Sequence, residues 1–471
     1  MRTRNALLGA GLLLCAGATG LFAQPQPRQD QRPAQPPAVA PGGAVPGEAS
    51  PSARPPAPGP VPNAQGGSAQ GGGAQGGNLD RLQQFRTTGT NLQIETVPQD
   101  GRRADALRRN LERIKLPDGF KIDLYAVVPD ARHMAVAGSG VVFVGTRKTR
   151  VWAVTDRDRD RVADEVKVFA PSVGFSVPNG LCFSPDGILY VVEHNRVVAF
   201  PAADFFYESP DVAAEVVVQQ GQLIPQSEES FNHGARVCRI GPDNKLYISL
   251  GQPFNVPPQN KMDLYNRVGI GGIVRMDRDG KNREVYARGI RNSVGIAFRP
   301  GTNELWFTDN QVDGMGDDMP NGEINRITAP GQNFGFPWYG GGTTRTKEYA
   351  NSQPPADAVK PVVETQNHAA DLGITFYDGR MFPEEYRGAV FNAQHGSWNR
   401  TTPVGARVMV TFLNADGTVK EHKPFAEGWL DEETNEYLGR PVDVATLRDG
   451  SLLVSDDMAG AIYRVSYDRQ R

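Results

Sequence analysis

The sequence predicts an all-β chain folded as a six-bladed β-propeller, preceded by a disordered N-terminal extension and a short N-terminal helix. Three observations point there. One unit recurs along the chain: a polar residue, an apolar run, a turn rich in Pro, Asp and Gly, a second apolar run, then a polar cluster. The runs are short and rich in β-branched and aromatic residues, the pattern of antiparallel hairpins. Six copies over this length match a ring of small sheets.

Taken in order, residues 1–23 read as a secretory signal. Arg2 and Arg4 precede an apolar core from Ala6 to Ala16, and Leu21-Phe22-Ala23 forms a small-residue cleavage site. That core is too short to span a bilayer. A lipoprotein reading through Cys15 is weaker, because Leu14 stands where a small residue is expected. Residues 24–78 are rich in Pro, Gly, Ala and Gln, bury too little apolar surface to offset ordering entropy, and read as a disordered tether. Residues 79–115 form a helical lead-in, with the helix itself expected over Ala104 to Ile114. Residues 116–471 hold the propeller. GFKIDLYAV alternates like a strand from Phe120, and ring topology predicts that it pairs with the last blade and removes a free edge.

The whole chain has a formal charge of −3; five arginines and two acidic residues lie in residues 1–78, so the remainder carries −6. Nothing resembles a basic nucleic-acid footprint. Outside the signal only Cys182 and Cys238 remain, both inside apolar runs. An exported chain permits a disulfide, but the sequence is read here as carrying two buried free thiols.

The six copies are ARHMAVAGSGVVFVGTRK from Ala131, PNGLCFSPDGILYVVEHN from Pro178, NHGARVCRIGPDNKLYISLGQ from Asn232, RNSVGIAFRPGTNELWFTDNQ from Arg291, HAADLGITFYDGRMFPEEYRGAVFNAQHG from His368 and RPVDVATLRDGSLLVSDDMAG from Arg440. The residues before each first run define one ring: Arg132/His133, Asn179, Asn232/His233, Arg291/Asn292, His368 and Arg440. Those after each second run define another: Arg147/Lys148, Glu193/His194, Gln252, Asp309/Asn310, His395 with Trp398, and Asp456/Asp457. In a hairpin the start of one strand and the end of the next share an edge, so both rings are expected on one face around a central depression. A polar residue such as His233 often opens a strand only to satisfy backbone groups. Six different polar choices at the equivalent position, including Arg and His, favour a site instead.

A neutral histidine suits general-base work, and arginines in a cup suit a polycarboxylate or a developing oxyanion. No GxGxxG follows a strand, and no Walker, HExxH or CxxC pattern occurs, so nicotinamide, nucleotide and zinc sites are not indicated. GFSVPNG is not a nucleophile elbow.

The stretches YARGIRNSVGIAFRPGTNELWFTDNQVDGMGDDMPNGEIN, GQNFGFPWYGGG, FNAQHGSWNR and GRPVDVATLRDGSLLVSDDMAGAIYRV resemble, in the right order, the glucose/sorbosone dehydrogenase family, and most of all its sorbosone dehydrogenase branch. The resemblance covers about Leu116 to Tyr467. It implies an exported, periplasmic or extracellular enzyme that oxidises an aldose or sugar aldehyde, with pyrroloquinoline quinone (PQQ) held over a calcium ion and an electron acceptor that the sequence does not name. It implies His233 as the base taking the substrate hydroxyl proton, and Arg291 with Asn292 at the quinone edge. Asn310 matches a cofactor-binding amide and Arg440 an arginine for a cofactor carboxylate. The backbone carbonyls of Gln311 and Val312 match the calcium ligands. Asn232 stands where glucose-oxidising members carry Asp, and Pro178 at a glutamine position, with Asn179 the nearest polar substitute. Gln311 replaces a Gly, Val442 replaces a second arginine, and Arg400 is the nearest cation to a missing lysine.

Two acidic stretches are further candidates. Asp156, Asp158, Asp160 and Asp164 are spaced like the first part of a calcium loop, although Arg161 and Lys167 occupy its Gly and Glu positions; a solvated turn is the other reading. Asp313, Asp317, Asp318 and Glu323 form a run acidic enough to hold a cation near the metal, a polar loop being the other reading. Two other functions compete: a calcium-dependent lactonase or esterase using Glu193, Asn179, Asp309 and Asp456, and a non-catalytic binding propeller.

Overall fold

The computed structural model describes residues 94–468; the expected signal, the tether and the start of the helical lead-in lie outside the described residues. Six sheets follow one another, five of them four-stranded and antiparallel, the third blade's carrying a short fifth strand, Gln332–Asn333, paired parallel. Their innermost strands are Met134–Val136, Gly180–Phe183, Val237–Ile240, Gly295–Phe298, Asp371–Phe376 and Pro441–Thr446. Each begins one of the repeat copies, and each next strand is the copy's second apolar run. The fold is a six-bladed β-propeller.

The inner strands approach closely through glycine. A Cβ on Gly180 would lie 2.6 Å from the Arg236 carbonyl oxygen, and one on Gly295 would lie 2.0 Å from that of Leu372. No side chain fits at these two positions.

The ring closes with its own N-terminus. Strand Phe120–Val127 pairs antiparallel with Ala461–Tyr467, Phe120 opposite Tyr467 and Val127 opposite Ala461. Phe120 meets the rings of Phe382, Tyr386, Phe425 and Tyr467 at centroid distances of 4.8–5.2 Å. The helix spans Arg102–Leu111, two residues earlier at its start and three shorter at its end than the sequence pattern predicts. It buries Ala104, Leu107 and Leu111 in the same cluster, at i, i+3 and i+7. Among the described residues no helix is long and apolar enough to cross a membrane.

The cysteine expectation is corrected. Cys182 and Cys238 form a disulfide between the inner strands of the second and third blades. The two positions sit at near-equivalent places in adjacent repeats, which puts their side chains face to face across the blade interface.

Candidate active site

A cavity of about 880 Å³ opens on the face where both rings converge. First-ring residues Arg132, Asn232, His233, Arg291, Asn292 and His368 line it, with Arg147, Asp309, Asn310, His395 and Trp398 from the second ring. Inner-strand starts and second-strand ends therefore share one edge, as hairpin geometry requires.

His233 has φ 53°, on the loop before Val237–Ile240, and lines the cavity. Its Nδ1 lies 2.6 Å from the Gln252 carbonyl. A carbonyl only accepts, so Nδ1 carries the proton and Nε2 presents its lone pair. Burial, and then the nearby Arg291 charge, push the imidazole pKa down to about 3. The ring is neutral across the physiological range. Beneath it lies a residue that the sequence pattern did not single out. Arg236 is buried and donates to the carbonyls of His194, His233 and Gly251 at 3.0–3.1 Å, locking the base's own backbone.

Arg291 is also buried and fully engaged. Its guanidinium donates to the Asn255 carbonyl and side chain at 3.0 and 2.8 Å, to the Asn310 carbonyl at 3.0 Å and to Asp313 at 2.8 Å. Its backbone N–H and that of Asn292 donate to Asp309, at 3.0 and 2.7 Å. Asp309 and Glu323 face each other across paired strands, and burial raises both carboxyl pKa values. Asn255 lies outside the repeat, on the loop after Gln252, and only its place beside Arg291 reveals it. Asn310 Nδ2 donates to the carbonyls of Asn292 and Asp371 at 3.2 and 3.0 Å.

The other anticipated cofactor residues lie outside the cavity wall. Asn179 is buried below the floor, bonded to His133, to Arg132 and to the Arg236 carbonyl. Arg440 donates to the carbonyls of His395, Gly396 and Ser397, and stacks on Tyr437. Arg400 donates to the carbonyls of Thr402 and Asp317. Arg132 pairs with Asp457, which also accepts from His395 Nε2 at 2.8 Å.

The carbonyl oxygens of Gln311 and Val312 accept no hydrogen bond from a described residue, whereas that of Asn310 just before them does. Gln311 Oε1 and Asn292 Oδ1 are buried and unpaired. This edge of the cup thus presents oxygen donors without protein partners, the donor type a calcium ion takes. The acidic run does not gather as expected. Asp313 serves Arg291 and Asn399, Asp317 accepts the Thr401 N–H, and Glu323 accepts from Gly342 N–H and Asn325, so the run stitches loops together. In the other acidic loop, carboxylate oxygens of Asp156, Asp158 and Asp164 lie within 4.8 Å of one another, while Asp160 accepts the Val162 N–H.

Fold and cup together define a propeller with a polar cavity on one face, lined by a histidine and several arginines and carboxylates. Residues 211–464, more than half of the chain, match the model of the family described as Glucose / Sorbosone dehydrogenase, and the chain belongs to that family. Its chemistry at family level is sugar oxidation. An uncharacterized protein of Borreliella burgdorferi is 32% identical over 368 residues, which cover 76% of this chain and 91% of that one. Among solved structures, the fold is similar to a calcium structure of the Trichoderma reesei carbohydrate-active enzyme of family AA12 (TM-score 0.63, 19% identity, 76% of this chain and 97% of that one). It is also similar to the holo form of the PQQ domain of pyranose dehydrogenase from Coprinopsis cinerea (TM-score 0.59, 18% identity, 75% and 97%).

Proposed function

We propose that the protein is a PQQ- and calcium-dependent dehydrogenase of an aldose or sugar aldehyde, acting outside the cytoplasm. The observation that carries this reading is the pinned tautomer of His233: a neutral imidazole with Nδ1–H committed to Gln252, Nε2 unpaired at the cavity wall and a fixed arginine beside it. A binding module has no need of that arrangement, and a sugar dehydrogenase does.

In this reading the sugar hydroxyl docks against His233, and Nε2 takes its proton as the C–H hydrogen leaves with its electron pair. Bound PQQ supplies the electrophilic quinone that accepts this hydride. Arg291, immobilised by Asn255 and Asp313, keeps a positive charge where the hydroxyl oxygen becomes negative, and being prearranged it needs no reorganisation. Asn292 and Asn310 would meet the cofactor's polar edge. The carbonyls of Gln311 and Val312 would hold calcium together with the cofactor. The disulfide supports an oxidising compartment.

The lactonase reading needs Glu193, Asn179, Asp309 and Asp456 to converge on one ion. Glu193 is instead paired with Arg196, Asp456 is bonded to Tyr463 and Ala459, and Asn179 is committed below the floor. Only Asp309 reaches the cavity.

The test is a titration of the purified apo-protein with PQQ, with and without calcium, followed by dye reduction on a panel of aldoses and sugar aldehydes. Calcium-dependent binding with turnover is expected. Absence of PQQ binding under both conditions would overturn the reading.

A further inference from the structure

Every other arginine that the sequence or the cavity brings to the cup has a partner. Arg291 is paired with Asp313, Arg132 with Asp457, and Arg440 and Arg400 are spent on backbone carbonyls. Arg147 is different. It lines the cavity, yet its side chain makes no hydrogen bond and no ion pair with any described residue, and its Nε is shut off from solvent and unpaired. Its position is nonetheless fixed. The backbone N–H donates to Asp130 at 2.8 Å, and the guanidinium carbon sits 4.6 Å over the ring of Phe231, itself 66% exposed and two residues before His233.

An unpaired, partly buried cation is costly unless a ligand completes it. The neighbouring Arg132 adds to that cost, and burial already depresses the Arg147 pKa. The contact with Phe231 holds the guanidinium over the ring, so part of the ordering of a flexible side chain is done before a ligand arrives. A planar guanidinium without hydrogen-bond partners among the described residues, at the wall of a cup, matches a carboxylate, which it can grip through two parallel N–H bonds.

We infer that Arg147 is a carboxylate-binding residue of the cup, contributed by the first blade. The inference rests on the dehydrogenase reading for the identity of the ligand. The carboxylate belongs either to the quinone cofactor or to an acidic sugar, and the chemistry at Arg147 is the same for both.

The experiment compares the wild type with Arg147→Met, which keeps the apolar stem over Phe231 and removes the charge. Thermal melting first confirms that the variant is folded; if it is not, Arg147→Lys takes its place, keeping charge while losing the fork. In one arm, PQQ binding to the calcium-loaded protein is followed by absorbance. In the other, with PQQ saturating, KM is compared for glucose and for glucuronate. A 10- to 100-fold weaker PQQ affinity assigns the carboxylate to the cofactor. A 10- to 100-fold fall in preference for glucuronate over glucose, with PQQ affinity kept, assigns it to the sugar. A folded variant unchanged in both arms overturns the inference. Should the wild type not bind PQQ, the dehydrogenase reading fails separately. Calorimetry of glucuronate against glucose then tests Arg147 alone: glucuronate binding lost in the variant supports it, and no binding to the wild type sinks it.

Discussion

Gln252 ties the candidate base to its neighbouring charge: its carbonyl accepts from His233 Nδ1 at 2.6 Å, and its own N–H donates to the Arg291 carbonyl at 3.3 Å. The imidazole and the backbone of Arg291 are thus registered to the main chain of one residue, and what disturbs that residue moves both.

The first prediction concerns the base itself. His233→Ala is expected to lower turnover about 10²- to 10⁴-fold, the usual share of a positioned base, while PQQ affinity stays within a few-fold. Binding measured alongside dye reduction separates the two. Equal loss of both would assign His233 to cofactor binding.

The pH profile follows from the depressed pKa. His233 is neutral in the free enzyme down to about pH 3, so kcat/KM should show no acid limb near 6.5 that belongs to this group. Arg291→Met removes the repelling charge and should move the limb upward, toward the ordinary histidine range, while turnover falls. A wild-type limb near 6.5 that vanishes in His233→Ala would contradict the assignment.

Gly251 is predicted to tolerate no side chain. A Cβ there would lie 2.5 Å from Asn292 Oδ1 and 2.7 Å from the His233 carbonyl oxygen. Gly251→Ala should cost about 1–3 kcal/mol of stability by overpacking and should reduce turnover, because the displaced atoms belong to His233 and Asn292, the proposed base and cofactor contact. Melting and steady-state kinetics on one preparation check both effects.

Arg236 should behave as a positioning residue. Arg236→Met leaves three buried carbonyls without their donor, and about 3 kcal/mol of stability should be lost. The separating readout is kinetic: a positioning role predicts a fall in kcat larger than any change in KM, whereas a merely structural role lowers the active fraction and leaves the kinetics of surviving molecules unchanged.

The disulfide closes a loop of 56 residues, for which chain entropy gives about 4 kcal/mol. Cys182→Ser with Cys238→Ser should therefore lower the melting temperature markedly, and a reductant should do the same to the wild type while leaving the double variant unchanged.

The repeat made much of this visible in advance. Hairpin logic alone placed His233, Arg291 and His395 at one edge, because strand starts and ends share an edge in every blade. The same logic, applied to Cys182 and Cys238, would have paired them; each was judged by its own apolar surroundings instead of by its equivalent place in adjacent copies. Asn255 and Asp313 were beyond that logic, since they lie on loops between repeats whose course only tertiary packing decides. Arg440 and Asn179 stand at repeat positions, and Arg400 near a family cation, but position in the sequence does not say where a side chain spends its hydrogen bonds, and these three spend theirs on the protein.

The pairing of Phe120–Val127 with Ala461–Tyr467 also sets an order of events in biosynthesis. The first strand of the ring must wait, edge unpaired, while almost the whole chain is made, since its partner is nearly the last segment to be translated. Contacts so distant in sequence form slowly. The residues that line the cup run from Arg132 to Asn399, and Arg132 is held by Asp457 of the last blade, so a chain that stops before that blade leaves the lining without its support. A nascent or C-terminally truncated product can fold blades but has no finished place to receive a cofactor, and loading can begin only after the final strand is released.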